Sequence, residues 1–293
     1  MTPLRSSLPH VRWVVRIQSL ALATHGKSFV RPTIGICTFV MAFSASRSSA
    51  ADLQPRTSDA YHAYVGLAQQ AFEERVLRED PPVSTRDGVI FAGPARSGGI
   101  IGVSGGLVHH WAGTAFLHRV TLESVLKVST DYSSLRSIYK EVVSSQLLEH
   151  EGNTYRVRTR LKEGGAGVTA VLDITSTIDY RYPTTDSVFV LSNADEIRQV
   201  VNPGSETELL LPVGHDSGYL WRANSFMYFA ETGNGVYIEM ETLGLSRPFP
   251  PLLSWLIKPV ARRLGRKSVD TALQEFVAAV TARPTESKSP PPL

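Results

Sequence analysis

Two neighbouring stretches decide the reading: Thr154-Tyr-Arg-Val-Arg-Thr-Arg-Leu-Lys162 and Val168-Thr-Ala-Val-Leu-Asp-Ile-Thr-Ser-Thr-Ile-Asp-Tyr180. In the first, Tyr155, Val157, Thr159 and Leu161 share one side of an extended chain, and Arg156, Arg158, Arg160 and Lys162 share the other. In the second, Val168, Ala170, Leu172, Ile174, Ile178 and Tyr180 oppose Thr169, Asp173, Thr175, Thr177 and Asp179. Side chains alternate faces along a strand, so this pattern predicts a sheet covered on one side and wet on the other. Gly164-Gly165-Ala166-Gly167 supplies a hairpin loop between the two strands.

Working outward, further strands are expected at 107–120, 187–192, 197–201, 208–213, 219–231 and 236–243. Gly233-Asn234-Gly235 makes the turn between the last two. Thr121 and Asp131 are placed to cap two short helices, the first carrying Leu122, Val125 and Val128, the second Tyr132, Leu135, Ile138 and Tyr139. Near the end, Leu252, Leu253, Leu256, Ile257 and Val260 recur at helical spacing. Gly265 is expected to break that helix, and Ser268 to cap a second one with Val269, Leu273, Phe276 and Val280 on one stripe. Upstream, Tyr61, Val65, Ala68, Phe72 and Val76 define an amphipathic helix over 57–79, stopped by Pro81-Pro82. Residues 80–106 read as a connector with one short strand at 89–91. A one-sided sheet must bury its apolar face, and the C-terminal helix is the segment long and apolar enough to cover it. The fold class is therefore α+β, an antiparallel sheet closed by a C-terminal helix, with an added N-terminal helix.

The 293 residues are 42% hydrophobic and 19% charged, which excludes a disordered or fibrous chain. The net charge of +3 divides unevenly. Residues 1–51 hold six basic residues and no acid, so the rest of the chain stands at −3. A mildly acidic body gives no support to nucleic-acid binding, which needs a concentrated basic face, and no nucleic-acid partner is expected. Lys27, Arg31, the apolar run from Thr33 to Phe43 and the small residues Ser48-Ser-Ala-Ala51 read as an export signal cleaved near Asp52. An uncleaved anchor or an organelle transit peptide are the alternatives. The single cysteine, Cys37, lies in that leader, so disulfides and cysteine-based zinc sites are excluded. The expected organisation is a leader over 1–51, an N-terminal helix and connector over 52–106, the main domain over 107–282 and a disordered Pro- and Ser-rich tail over 283–293.

Catalytic motifs are weak. Gly102-Val-Ser104-Gly-Gly106 matches the nucleophile-elbow pattern, but strand-like sequence follows where a helix is required, so a glycine loop is the better reading. His109 and His110 point to opposite faces of a strand and cannot chelate one metal, and His118 is about 26 Å along the strand from His110. No metal or cofactor is expected. Glu239 and Glu241 share a strand face about 6.6 Å apart. Such a pair can do acid–base work if desolvated, and more often forms ion pairs, with Arg222 or Arg247 as candidates here. In the strand around 221–229 both faces are partly aromatic, and Trp221, Ser225, Met227 and Phe229 are chosen for the interior because they carry no charge to desolvate. Lys258, Arg262, Arg263, Arg266 and Lys267, beside Trp255, Leu256 and Ile257, read as a solvated helix end or as a contact for an anionic membrane surface during ligand exchange.

This order of elements resembles the START-like superfamily, also called SRPBCC or helix-grip, over roughly 107–281. Several stretches look closer still to an uncharacterised family of exported acidobacterial proteins. They are Gly106-Leu-Val-His-His-Trp111, Gly218-Tyr-Leu-Trp-Arg222, Gly235-Val-Tyr-Ile-Glu239 and Leu245-Ser-Arg247 with Pro250, Trp255 and Pro259. Gly265 stands where that family leads us to expect a proline, and Met227 and Ala230 also depart from it. The resemblance implies a curved sheet around the last helix with an apolar cavity between them. Expected lining residues are His109 and Trp111 from the first strand, and Tyr155, Val157, Leu172, Ile174 and Tyr180 from the alternating pair. Trp221, Ser225, Met227 and Phe229, with Ile238 beside them, and Trp255 and Phe276 from the helix complete the set. The implied function is non-catalytic binding or transfer of a small hydrophobic molecule such as a lipid, isoprenoid or polyketide. A cyclase or aromatase using the same cavity, or an envelope protein with a filled core, are the alternatives. The N-terminal helix is expected either to lid the cavity or to pack on the outer face of the sheet.

Overall fold

The computed structural model describes residues 51–78, 87–165 and 168–282. The expected leader up to residue 50, the Pro81-Pro82 stop, the Ala166-Gly167 turn and the tail from 283 lie outside the described residues. The chain begins with β1 (Ala51–Asp52) and α1 (Pro55–Arg78). Three strands follow, β2 (Gly88–Pro94), β3 (Ile100–Val103) and β4 (Gly106–His118), then α2 (Leu122–Ser129) and α3 (Leu135–Ile138). Four long strands come next: β5 (Val142–Glu151), β6 (Thr154–Gly165), β7 (Val168–Thr184) and β8 (Ser187–Val201). Two short ones, β9 (Leu209–Leu210) and β10 (His215–Asp216), lead to β11 (Arg222–Thr232), β12 (Gly235–Ser246) and α4 (Ser254–Ala282).

The main sheet is antiparallel and runs β2-β4-β12-β11-β8-β7-β6-β5, with β3 also on β4 and β9 on β8. The alternating stretches pair as expected, Tyr155 opposite Ile178 and Leu161 opposite Leu172. Their charged faces pair too, Arg160 holding Asp173 with Nε–Oδ1 2.6 Å. The connector over 80–106 is more structured than one short strand: β2 and β3 both join the sheet through β4. Ser104 sits in the β3–β4 turn, with a strand rather than a helix after it, so no nucleophile elbow forms. The two strands expected at 187–192 and 197–201 are one, β8, interrupted by a bulge opposite Thr175 and Ser176.

Each face of the sheet carries its own core. On one face α4 lays Val269, Leu273, Phe276 and Val280 against Trp111, Ala115, Ile238 and Phe229. Phe229 and Phe276 stack with centroids 5.8 Å apart. On the other face α1 buries Tyr61, Val65, Phe72 and Val76 against Phe189, Phe226, Tyr228 and Leu245. Thus α1 packs on the outer face, and the lid arrangement is not the one adopted.

Gly265 does not break the last helix; α4 is continuous across it and across Pro259. A lone glycine costs a helix only about 1 kcal/mol. Here its missing Cβ admits the Trp111 ring, which any side chain at 265 would overlap. Gly99 holds the indole from elsewhere, where a Cβ would stand 2.5 Å from it. Gly113 does the same for Leu273 and Val269, 2.6 Å from where its Cβ would be.

Candidate functional site

Register fixes what lines the face beneath α4. One row crosses six strands: Trp111, Thr242, Ser225, Ser192, Ile178 and Tyr155 are successive cross-strand partners. The next row toward the C-terminal half of α4 holds Gly113, Met240, Met227, Val190 and Tyr180. On the far side come His109, Gly244 and Ala223. Beyond them Leu172 and Ile174 pack with Ala194, Ile197 and Leu220. Between these rows the strands present no Asp, Glu, Lys or Arg to this face.

The middle of the face is not sealed. Tyr155, Ile178, Ser192, Ser225, Met227 and Thr242 are all only partly buried, while the row of Ala115, Ile238, Phe229 and Val188, on which Phe276 stacks, is closed. Thr242, Ser225 and Ser192 make no side-chain hydrogen bond with another of the described residues. They form a short hydroxyl line across an otherwise apolar trough, with Trp111 at one end and Tyr155 at the other.

Beyond Tyr155 the trough ends in a tyrosine cluster. Tyr180 Oη lies 2.8 Å from Tyr132 Oη and 2.7 Å from Ser129 Oγ, and donates to the Ser129 carbonyl at 2.9 Å. Tyr155 sits edge-on to Tyr180, 5.4 Å between centroids, and His150 stacks on the Tyr155 ring at 4.0 Å. Burial pushes the Tyr180 phenol up to about 12 and raises those of Tyr132 and Tyr139. At neutral pH these are protonated hydroxyls, able to donate a hydrogen bond and unable to act as bases. At the opposite end His109 Nε2 is 2.8 Å from Ser246 Oγ, and burial lowers the pKa of the imidazole, favouring its neutral form.

The expected site residues divide. His109, Trp111, Tyr155, Val157, Tyr180, Ser225, Met227, Phe229, Ile238 and Phe276 lie on the trough face or on α4 above it. Leu172 and Ile174 share that face but belong to the separate apolar group at its closed end. Two residues are elsewhere. Trp221 precedes the first residue of β11, in a bend that turns it into the α1-side cluster with Leu243 and Leu245. Trp255 is 75% exposed, because the first turns of α4 extend past the sheet. Ser192 and Thr242 are not among the expected residues; their signal is that each continues the inward phase of an apolar alternation, after Val188 and Val190 or after Ile238 and Met240.

The two adjacent histidines separate as their strand position requires, His110 pointing under α1 with Nε2 2.7 Å from Glu241 Oε2 and Nδ1 2.9 Å from Tyr64 Oη. Glu239 and Glu241 form ion pairs, but neither Arg222 nor Arg247 is the partner. Arg75 of α1 spans both, with Nη2 2.8 Å from Glu241 Oε1 and Nη1 on Glu239. Tyr237 also donates to Glu239 at 3.0 Å. Both glutamates are therefore on the outer face, away from the trough.

The architecture is thus an antiparallel sheet with the long C-terminal helix α4 packed on one face and α1 on the other. Among solved structures the chain is similar to TTHA0849 of Thermus thermophilus, at 16% identity and a TM-score of 0.43, over 59% of this chain and 97% of that one. It is similar to a STAR-related lipid transfer protein of Xanthomonas axonopodis, at 18% identity and a TM-score of 0.39, over 61% and 99% of the two chains. It is also similar to the ZhuI aromatase/cyclase of a Streptomyces species, at 13% identity and a TM-score of 0.37, over 60% and 95%. No family model and no curated protein matches the chain, so the resemblance to exported acidobacterial proteins gains no support.

Proposed function

We propose that this is an exported protein that binds a small, elongated apolar molecule in the trough beneath α4, without chemically altering it. The observation that carries this reading is the uncharged, half-open face crossed by the hydroxyls of Thr242, Ser225 and Ser192. Apolar walls supply affinity of about 25 cal/mol per Å² of ligand surface buried, before the costs of association. A few polar groups then fix orientation. A hydroxyl line at mid-trough suits a ligand with a carbonyl or hydroxyl near its middle, as many lipids, isoprenoids and polyketides have. A cyclase or aromatase in the same trough would draw on His109, the half-buried imidazole at the end beside Ser246.

Native mass spectrometry of the purified protein, with organic extraction of any bound material, tests this directly. Titration with a fluorescent fatty-acid analogue tests it in parallel. Met227→Trp places a large ring on the trough floor and is expected to abolish probe binding while the fold survives. Equal binding by this variant and the parent chain would refute the location. Conversion of the extracted compound on incubation, lost in His109→Gln, would favour the enzyme instead.

A further inference from the structure

The first three turns of α4 do not behave as a helix end that has been made wettable. Leu252, just before the helix, is 87% exposed and Trp255 75%, and Leu256, Val260 and Leu264 are exposed as well. The following turns add Arg262, Arg263, Arg266 and Lys267, with Lys258 among the apolar residues, all exposed. None of these five cations forms an ion pair among the described residues. From Arg247 to Val269 there is no acidic residue. Across the gap from α4, the edge strand β2 exposes Ile90 and Phe91. An open cleft of about 400 Å³ separates Val89–Ala92 from Arg263, Arg266, Lys267 and Asp270. The result is a continuous surface with an apolar leading end, a cationic collar behind it and a cleft beside the collar.

We propose that this surface docks the protein on a phospholipid membrane carrying anionic lipid. Trp255 and Leu252 enter the headgroup–acyl boundary, and the arginines and Lys267 meet lipid phosphates. Large exposed apolar side chains beside unpaired cations are what such a boundary accommodates: the rings and aliphatic chains leave water while the charges stay hydrated among anions. Charge argues against a second copy of this chain as the occupant. A two-fold interface would bring the same cations face to face. An acidic protein partner would satisfy the collar but not the protruding Trp255 and Leu252, which need an apolar medium rather than a charged surface. The docking surface is independent of what the trough holds.

The test is sedimentation of the full chain with phosphatidylcholine vesicles, with or without 30% phosphatidylglycerol. Residues 1–51 carry cations and an apolar run of their own, so variants are compared with the parent in the same chain. Leu252→Ser/Trp255→Ser and Arg263→Glu/Arg266→Glu/Lys267→Glu are each expected to lower affinity for the anionic vesicles about tenfold or more. Because the altered side chains are exposed, the melting temperature should not move, and fatty-acid-probe binding in the trough should persist. The charge variant should show a weaker salt dependence than the parent. Unchanged vesicle binding in either variant would overturn the proposal. So would equal affinity of the parent for neutral and anionic vesicles, or vesicle-free self-association of the parent that the Leu252/Trp255 variant abolishes.

Discussion

Gly265 sets how closely α4 approaches the sheet, because the Trp111 indole occupies the space a side chain would need. Two effects of Gly265→Ala oppose each other. Alanine favours the helix by about 1 kcal/mol. Forcing a methyl into a filled contact costs about 1–3 kcal/mol. Trp111 is also held by Gly99 and cannot retreat that way, so the second effect wins. Chemical denaturation should show Gly265→Ala less stable than the parent; a more stable variant would mean the indole is free to move. His109 gives a pH prediction. Burial lowers its folded-state pKa below the ordinary value of about 6.5, so between the two the unfolded chain binds more protons. Stability contributed by the neutral imidazole is present at higher pH and is lost as pH falls below about 6.5. His109→Gln should flatten that part of the stability–pH curve. Parallel curves for variant and parent over pH 5–7.5, an interval spanning about 6.5, would show that another group is responsible.

At the scale of elements, the sequence is most readable where charge and apolarity alternate strictly. Thr154–Lys162 and Val168–Tyr180 form paired strands in the phase the pattern requires. β5 carries no such pattern: it is an edge strand with most of its side chains in water, and two irregularities shift its phase, at Val142/Ser144 and Leu147/Glu149. With neither face buried, alternation has no energetic cause. α4 reads as two helices in sequence because Gly265 is a local stop signal, whereas the contact that uses it comes from β4, more than 150 residues earlier. The same limit hides the partner of Glu239 and Glu241. Their shared face follows from spacing alone, but Arg75 lies on a helix whose docking depends on Tyr61, Phe72 and the aromatic side of β11. The hydroxyl line is a further case. Ser225 can be selected from its own strand, yet Thr242, Ser225 and Ser192 become a row only when the register of three strands is known.

Over the whole molecule the sheet is a common wall between two cores with different duties. The α1 side is closed: Phe72 lies against Phe189 and Phe226, with centroids 6.2 and 5.9 Å away. The cations and carboxylates there are joined through Arg75. The α4 side is closed only under the C-terminal half of the helix and open at mid-trough. Perturbing one face should therefore leave the other's property intact, since residues on opposite faces share no side-chain contacts and their effects tend to add. Phe72→Leu should lower unfolding free energy by about 1–2 kcal/mol through the volume lost from the outer core. Its affinity for the fatty-acid probe should stay at the parental value. Met227→Trp should lose probe binding with little change in stability, because a half-open site has room for the larger ring. Combining both substitutions should give the sum of the two stability changes within about 0.5 kcal/mol. If Phe72→Leu instead weakens probe binding, α1 controls the trough through the sheet, and the two faces cannot be treated as separate.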